Sequence, residues 1–555
     1  MTGDQDARSD AERVPSPGGR SRLRGSSRPR RLARRLAVAL AVLLPAAAWG
    51  VATAQTQAGL GPHLARYEVT VDDLVTVDLG PLGTLVIDSP LPLTLGARVV
   101  VQEIPREVTA VDQSATLEAL GGDLQAYAQF FGSPQATVGT AVRGLVTDAV
   151  RRTGLAGLVL VTGIWLVRAG LGPRRRAELT AQLRPHRVLA GGVAVAVVVA
   201  GTVTSSGPLA RPADAARQAS TVFDGTPLEG ARLTGRLAGV IDTYGGYVVD
   251  AYRENEDFYD AAVVDLEVAW TERSAAEEDA AARAAEQQQS PPASVPPDAT
   301  VLLVVSDLHC NVGMARVIRA LGTLAEADVV LNAGDSTVNG TAVEEYCVTA
   351  FARSVPDGAT MVVADGNHDS AETSHQEGRA GMVVLDGSVT EVAGVRILGD
   401  SDPNATRIGG GTQPVGEESL TEAARRLADL ACADGDVDLL LVHTPAVGND
   451  AVARGCVPVQ VSGHLHRRYG PLTVGPSVRY VSASTAGASL GAPTVGPLQG
   501  IAELTVLRLD PSTRRVLDHR LVRVLPTGGV SVGQAVPWPG TSSEAAATTP
   551  STAPR

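Results

Sequence analysis

Two kinds of apolar segment alternate with polar sequence along this chain. Residues 36–54 (LAVALAVLLPAAAWGVATA), 153–167 (TGLAGLVLVTGIWLV) and 188–210 (VLAGGVAVAVVVAGTVTSSGPLA) are long and uncharged. A helix that crosses a bilayer needs about 20 apolar residues. The pattern therefore predicts transmembrane helices over 36–54, 153–173 and 188–207, the second reaching that length only if Arg168 snorkels to the interface. Each run would also suit a buried core helix. The first would suit a signal segment, with Ala52-Thr53-Ala54 as its cleavage site. Further along, five apolar runs of four to six residues each end in a polar cluster: VLLVV, DVVLNA, TMVVAD, DLLLV and VPVQVS. Runs of that length suit buried strands.

The intervening sequence completes the organisation. Residues 1–35 read as a disordered basic tail, rich in Ser, Gly, Pro and Arg. Alternation in Tyr67-Glu68-Val69-Thr70-Val71, with breakers at Gly80, Gly83, Pro90 and Pro92, predicts a β-rich module within 55–150. Residues 174–187 form a basic loop. Residues 208–297 read as helical, closing on a stiff Pro-rich linker (SPPASVPP). A new domain starts at 298 and runs to 526, where short β-branched runs alternate with helical stretches. That alternation predicts an α/β fold of sheet layered with helices. Residues 527–555 read as a disordered tail.

Charge orients this plan. The 555 residues carry a formal net charge of -13, which argues against a nucleic-acid partner. Yet residues 1–35 hold ten Arg against four acids, and 168–187 hold six Arg against Glu178. Both basic islands should face the cytoplasm, outweighing Arg151 and Arg152. The chain is then a multi-pass protein of the cell membrane. Residues 55–150 and everything after about 208 would lie on the extracytoplasmic side.

The chemistry lies at the ends of the short runs. They lead into Asp307-Leu308-His309, Gly334-Asp335, Gly366-Asn367-His368-Asp369, His443 and Gly463-His464-Leu465-His466. Five of the nine His fall in these clusters. Ligands gather at the carboxyl ends of strands in open α/β sheets. Carboxylate, imidazole and amide oxygen suit Mn, Fe or Zn. Asp-x-His at an extended strand end would place both side chains on one side. Two divalent ions roughly 3.5–4 Å apart can activate water and stabilise a transferring phosphoryl group.

In this order the clusters resemble the calcineurin-like metallophosphoesterase superfamily, over about residues 298–526. The resemblance implies a two-sheet sandwich flanked by helices. It implies one ion held by Asp307, His309 and His466 and a second by Asn367, His443 and His464. Asp335 would bridge both ions together with a hydroxide, and His368 would stabilise the phosphate or protonate the leaving oxygen. In one branch of the family the Gly-Asp is followed, after two residues, by Asp-Arg. Here Val338 and Asn339 stand there, which argues against a Ser/Thr protein phosphatase and leaves the support of His368 open.

All four Cys lie in the domain placed outside, where disulfides form. Four Cys allow three pairings. Cys432 and Cys456 each precede a motif-bearing strand, which favours Cys432–Cys456 with Cys310–Cys347; the alternative is free buried thiols. His375, Arg467 and Arg468 lie near the motifs but read as solvated surface, and Asp400-Ser401-Asp402-Pro403 reads as a plain turn. The chain thus reads as a membrane-anchored phosphoesterase acting on phosphomonoesters or phosphodiesters. The other reading is a membrane sensor or scaffold that binds metal or a phosphorylated ligand without turnover. An intact His368 counts against it.

Overall fold

The computed structural model describes residues 27–102, 134–183, 220–286 and 296–540, short breaks within them excepted. From residue 300 onward two sheets face each other. One runs in the order β10-β9-β8-β7-β19-β20-β21, with β22 paired to β20. Its strands are β7 (Thr300–Val305), β8 (Val329–Asn332), β9 (Thr360–Val363), β10 (Val383–Val384), β19 (Ala502–Asp510), β20 (Arg515–Val524), β21 (Val530–Val532) and β22 (Val536–Pro537). The second runs in the order β11-β12-β15-β16-β18-β17. It is built from β11 (Val389–Val392), β12 (Val395–Gly399), β15 (Leu439–Leu441), β16 (Val459–Ser462), β17 (Tyr469–Val474) and β18 (Ser477–Val481). Strands β7 to β10 are parallel, as are β12, β15, β16 and β18.

Alternation along each strand builds the layers. Leu302 and Val304 of β7 meet Leu439, Leu441 and Val461 between the sheets. Leu303 and Val305 point outward, against Val317, Ile318 and Leu321 of α5 (Met314–Leu324) and Phe351 of α6 (Glu345–Ser354). Leu440 and Val442 face Leu427 and Ala431 of α7 (Leu420–Asp434). The result is the expected α/β two-sheet sandwich flanked by helices.

Two domain boundaries differ from expectation. Residues 527–540 are structured: β21 and β22 extend the first sheet, and Trp538 is buried against Tyr480 and His519. The Pro, Gly and Ser content of that stretch hides three well-spaced anchors, Val530, Val532 and Trp538. Upstream, helix α4 (Arg236–Glu286) is not separate from the domain beyond the linker. Tyr259, Ala262 and Leu266 sit in its core, and the Tyr259 hydroxyl donates to Asn311 at 2.8 Å.

The first half is simpler. Helix α1 (Ser27–Ala52) begins inside the tail expected to be disordered. Strands β1 (Gln55–Leu60), β2 (His63–Thr70), β3 (Leu74–Asp78), β4 (Thr84–Asp88) and β5 (Gly96–Val101) form a sheet completed by β6 (Arg232–Leu233), in the order β1-β2-β5-β3-β4-β6. Helix α2 runs unbroken over Pro134–Gly170, starting well before the expected span, because residues 134–152 hold no internal breaker apart from isolated Gly. Helix α3 (Pro173–Leu183) occupies most of the expected basic loop. α1 and α2 pack antiparallel: a Cβ on Gly50 would strike Thr153 of α2, and one on Gly144 would strike Thr56 at the start of β1. Small residues permit this approach.

Among the described residues one helix, Val138–Gly170, is long and apolar enough to cross a membrane; Val38–Ala52 is a shorter apolar helix. The first predicted span, 36–54, lies within the 26-residue α1, apart from its last two residues. The third, 188–207, lies outside the described residues.

Candidate metal centre

Parallel strands open at one edge, so their loops converge there. The loop after β7 brings Asp307 and His309. Those after β8 and β9 bring Asp335, and Asn367 with His368. Those after β15 and β16 bring His443, and His464 with His466. All of these side chains meet between the two sheets' open ends.

They form two groups joined at one carboxylate. In the first, His309 Nε2 lies 3.0 Å from His466 Nε2, and His466 Nε2 lies 3.3 Å from Asp307 Oδ1. Ligand atoms of Asp307, His309, Asp335 and His466 all fall within 4.8 Å of one another, a set that could hold a metal ion. In the second, Asn367 Oδ1 lies 3.0 Å from His443 Nε2 and 2.9 Å from His464 Nδ1. Asp335 Oδ2 stands 3.7 Å from His309 Nε2 and 3.2 Å from His443 Nε2.

The backbone that achieves this is strained. Asp307, His309, Asp335, His464 and His466 have φ of 52°, 41°, 59°, 72° and 50°. Such left-handed non-glycine residues cost about 1–3 kcal/mol each and cluster where function needs them. Asp307 and His309 therefore converge through a left-handed turn, and not through the strand alternation expected from sequence. Gly463 is required because a Cβ there would strike Ser306 and Asp307.

A supporting shell fixes the donors. The Ala333 carbonyl accepts from His443 Nδ1 at 2.7 Å, which turns Nε2 toward the centre. Asn367 Nδ2 donates to Thr406 Oγ1 at 2.7 Å, which turns Oδ1 inward. Asp369 accepts from the backbone N–H groups of Asp335, Ser336, Thr337 and Gly366 at 2.8–3.2 Å, tying two loops together. Arg407 of strand β13 (Asn404–Arg407) donates to the carbonyls of Asn367, His368 and Asp369 at 2.7–3.1 Å. His368 Nδ1 donates to the Val338 carbonyl at 2.6 Å, so its Nε2 is the ring nitrogen left to exchange a proton at the centre.

Charge within the centre is matched. Burial penalises the Asp335 and Asp307 carboxylates, but the surrounding imidazoles outweigh it and hold both below the usual range. Burial lowers His309 to about 4. Burial also opposes charge on His443, but Asp335 and Asp307 push that ring up to about 10. Lone pairs on imidazole nitrogens and carboxylate and amide oxygens face one another at 2.9–3.7 Å, an arrangement that calls for protons or cations between them. The donor types suit Mn, Fe or Zn. The residues present fit two divalent ions.

His375 and Arg467 are exposed, Arg467 stacking on Tyr469. Arg468 pairs with Glu503 at 3.3 Å. Asp402 does more than form a turn: it is buried, and its carboxylate acts electrostatically on both His443 and His464. Thr406 and Arg407 carry no sequence signal, because they act on backbone carbonyls and one amide about 40 residues away. The structure pairs Cys310 with Cys347 and Cys432 with Cys456.

Residues 300–468 match the sequence profile of calcineurin-like phosphoesterases. No curated protein matches the chain. Solved structures similar to it include an archaeal phosphodiesterase (14% identity, 40% of this chain and 99% of that one, TM-score 0.26). Others are a phosphatase from Mycoplasma pneumoniae (16%, 43% and 96%, TM-score 0.29) and a dimetal phosphatase from Danio rerio (12%, 43% and 98%, TM-score 0.27). At these scores the likenesses bear on neither activity nor substrate.

Proposed function

We propose, from the match of residues 300–468 to the calcineurin-like phosphoesterase family, that this chain is a multi-pass membrane phosphoesterase. It cleaves phosphomonoesters or phosphodiesters on the extracytoplasmic face. The observation that carries the reading is the position of Asp335, whose one oxygen faces both donor groups. Asp307, His309 and His466 would hold one ion, and Asn367, His443 and His464 the second, with Asp335 shared. Bound there, divalent ions supply Lewis acidity that lowers the pKa of water and offsets phosphoryl charge. His368 presents Nε2 at the rim of the centre, where it can hand a proton to the departing oxygen. Val338 fixes its tautomer.

Membrane anchoring is supported by residues 155–167 of α2. Leu155, Leu158, Val159, Val161, Ile164, Trp165 and Val167 are all exposed, and they are followed by Arg168 and Arg174–Arg176. A return crossing is supported by β6, which pairs with β4 although α2 lies between them in sequence. A chain that leaves the sheet along α2 comes back to it, and 188–207 is the apolar run available for that return.

Purified full-length protein in detergent should hydrolyse aryl phosphate mono- or diesters with Mn²⁺ and lose that activity to a chelator. An intact fold that is inactive with every divalent ion tried would leave the sensor reading standing. Sidedness is tested with Arg175→Cys and Tyr247→Cys, since every native Cys is paired. A membrane-impermeant thiol reagent on intact cells should label the second variant and not the first.

A further inference from the structure

The support of His368 has an unusual source. Where the resemblance places an orienting Asp and a phosphate-gripping Arg, this chain has Val338 and Asn339. The ring is held instead by the Val338 carbonyl, at 2.6 Å from Nδ1. A carbonyl serves as an orienting group only if its peptide plane is fixed.

Glu344 fixes it. Its Oε1 accepts from Asn339 N–H at 3.0 Å and Val338 N–H at 2.8 Å. Its Oε2 accepts from Thr341 N–H and Oγ1 at 2.7 and 2.9 Å. The Val338 C=O and the Asn339 N–H belong to one planar trans peptide, so they point in opposite directions. A carboxylate that grips the N–H therefore aims the C=O the other way, at His368. Its negative charge also polarises that peptide and strengthens the carbonyl as an acceptor. Glu344 is buried, and all four of these bonds go to the single turn 338–341. The Cys310–Cys347 disulfide anchors the helix that follows Glu344 beside the His309 loop.

We propose that Glu344 is a positioning residue for His368, its carboxylate acting through the Val338–Asn339 peptide in place of a direct side-chain partner. The inference rests on the phosphoesterase reading. It concerns the step that depends on the leaving group: His368 Nε2–H gives its proton to the departing alkoxide oxygen as the P–O bond breaks, and water restores that proton afterwards.

The test uses the full chain with Mn²⁺ and phosphate esters of graded leaving-group acidity. Glu344→Gln should cut kcat on alkyl esters by about 10- to 100-fold and on nitrophenyl esters by less than about threefold, since general-acid help matters most for poor leaving groups. KM and bound Mn²⁺ should not change. In a His368→Asn background, Glu344→Gln should add less than about twofold. Glu344→Asp, which keeps the charge on a shorter stem, should fall between wild type and Gln, and it serves if Gln fails to fold. Equal losses on all leaving groups, or an undiminished loss in the His368→Asn background, would overturn the assignment while wild-type turnover keeps the phosphoesterase reading. A wild-type protein that cleaves no ester would remove both.

Discussion

The two halves of this molecule both contain a six-stranded or larger sheet, yet only one gathers chemistry. In the first half the sheet is antiparallel at every pairing except β3 with β5. Successive loops then leave from opposite edges, and their polar residues scatter: Asp72 accepts from Thr70, and Asp78 from Gly80, each within its own turn. In the second half the strands that carry motifs are parallel, and every strand-to-helix loop opens on one side. Direction of pairing, more than composition, decides which half can build a polynuclear centre.

The comparison breaks most sharply at Asp335. Asp335→Asn removes the charge shared by both donor groups while leaving its shape. Turnover with Mn²⁺ should fall about 10³-fold or more, roughly 4 kcal/mol of barrier. Circular dichroism should be unchanged. Activity within tenfold of wild type would mean that convergence at the sheet edges is not what performs the reaction.

The next effect tests where the second half ends. Trp538 lies 3% exposed against Tyr480 and His519. Trp538→Ala should destabilise the domain by about 3–5 kcal/mol, read by urea denaturation of the full chain. A loss under about 1 kcal/mol would return residues 527–540 to the status of a tail.

How much of this was readable depends on how the information is encoded. Asp307, His309, Asp335, Asn367, His443, His464 and His466 were visible because each follows an apolar run directly, so pattern and chemistry share one short window. The layering of sheet with helices followed from those same runs, and the two-sheet sandwich from the family resemblance that their order carries. Thr406, Arg407 and Glu344 were not visible, because they recognise backbone groups that carry no side-chain signature. The place of α4 in the core was obscured by the Pro-rich segment after it. The β6–β4 pairing joins segments about 145 residues apart, and two-residue β6 has no period to detect.

A smaller effect separates folding from function within the second half. Burial, and then the charges of Asp365 and Asp369, raise Glu377 well above the ordinary carboxylate value. Its folded pKa therefore exceeds its unfolded one. The folded state binds the proton more tightly, so this contribution is full below about pH 4.5 and is lost as pH rises through the raised value. Glu377→Gln keeps a group able to accept from the Ser336 hydroxyl and removes the charge. It should stabilise the protein at pH 8 and change little at pH 4. Equal thermal shifts at both pH values would show that the effect is packing and not proton linkage.

The smallest effect concerns the contact between the halves. Arg143 of α2 donates to Thr349 Oγ1 of α6 at 2.9 Å, and Thr140 Oγ1 lies 2.9 Å from the same hydroxyl. α2 is continuous, so the segment that touches α6 and the exposed apolar segment that follows are parts of one rod. Arg143→Ala removes one of two bonds to Thr349 at a half-buried site, worth about 0.5–1.5 kcal/mol. Melting should shift by only a few degrees for a domain of this size. Since Thr140 remains and no catalytic group touches Arg143, kcat should stay within about twofold. A larger fall in kcat at unchanged metal content would mean that the rod acts on the turn carrying Glu344, one residue ahead of α6. The halves would then differ in architecture but share one function.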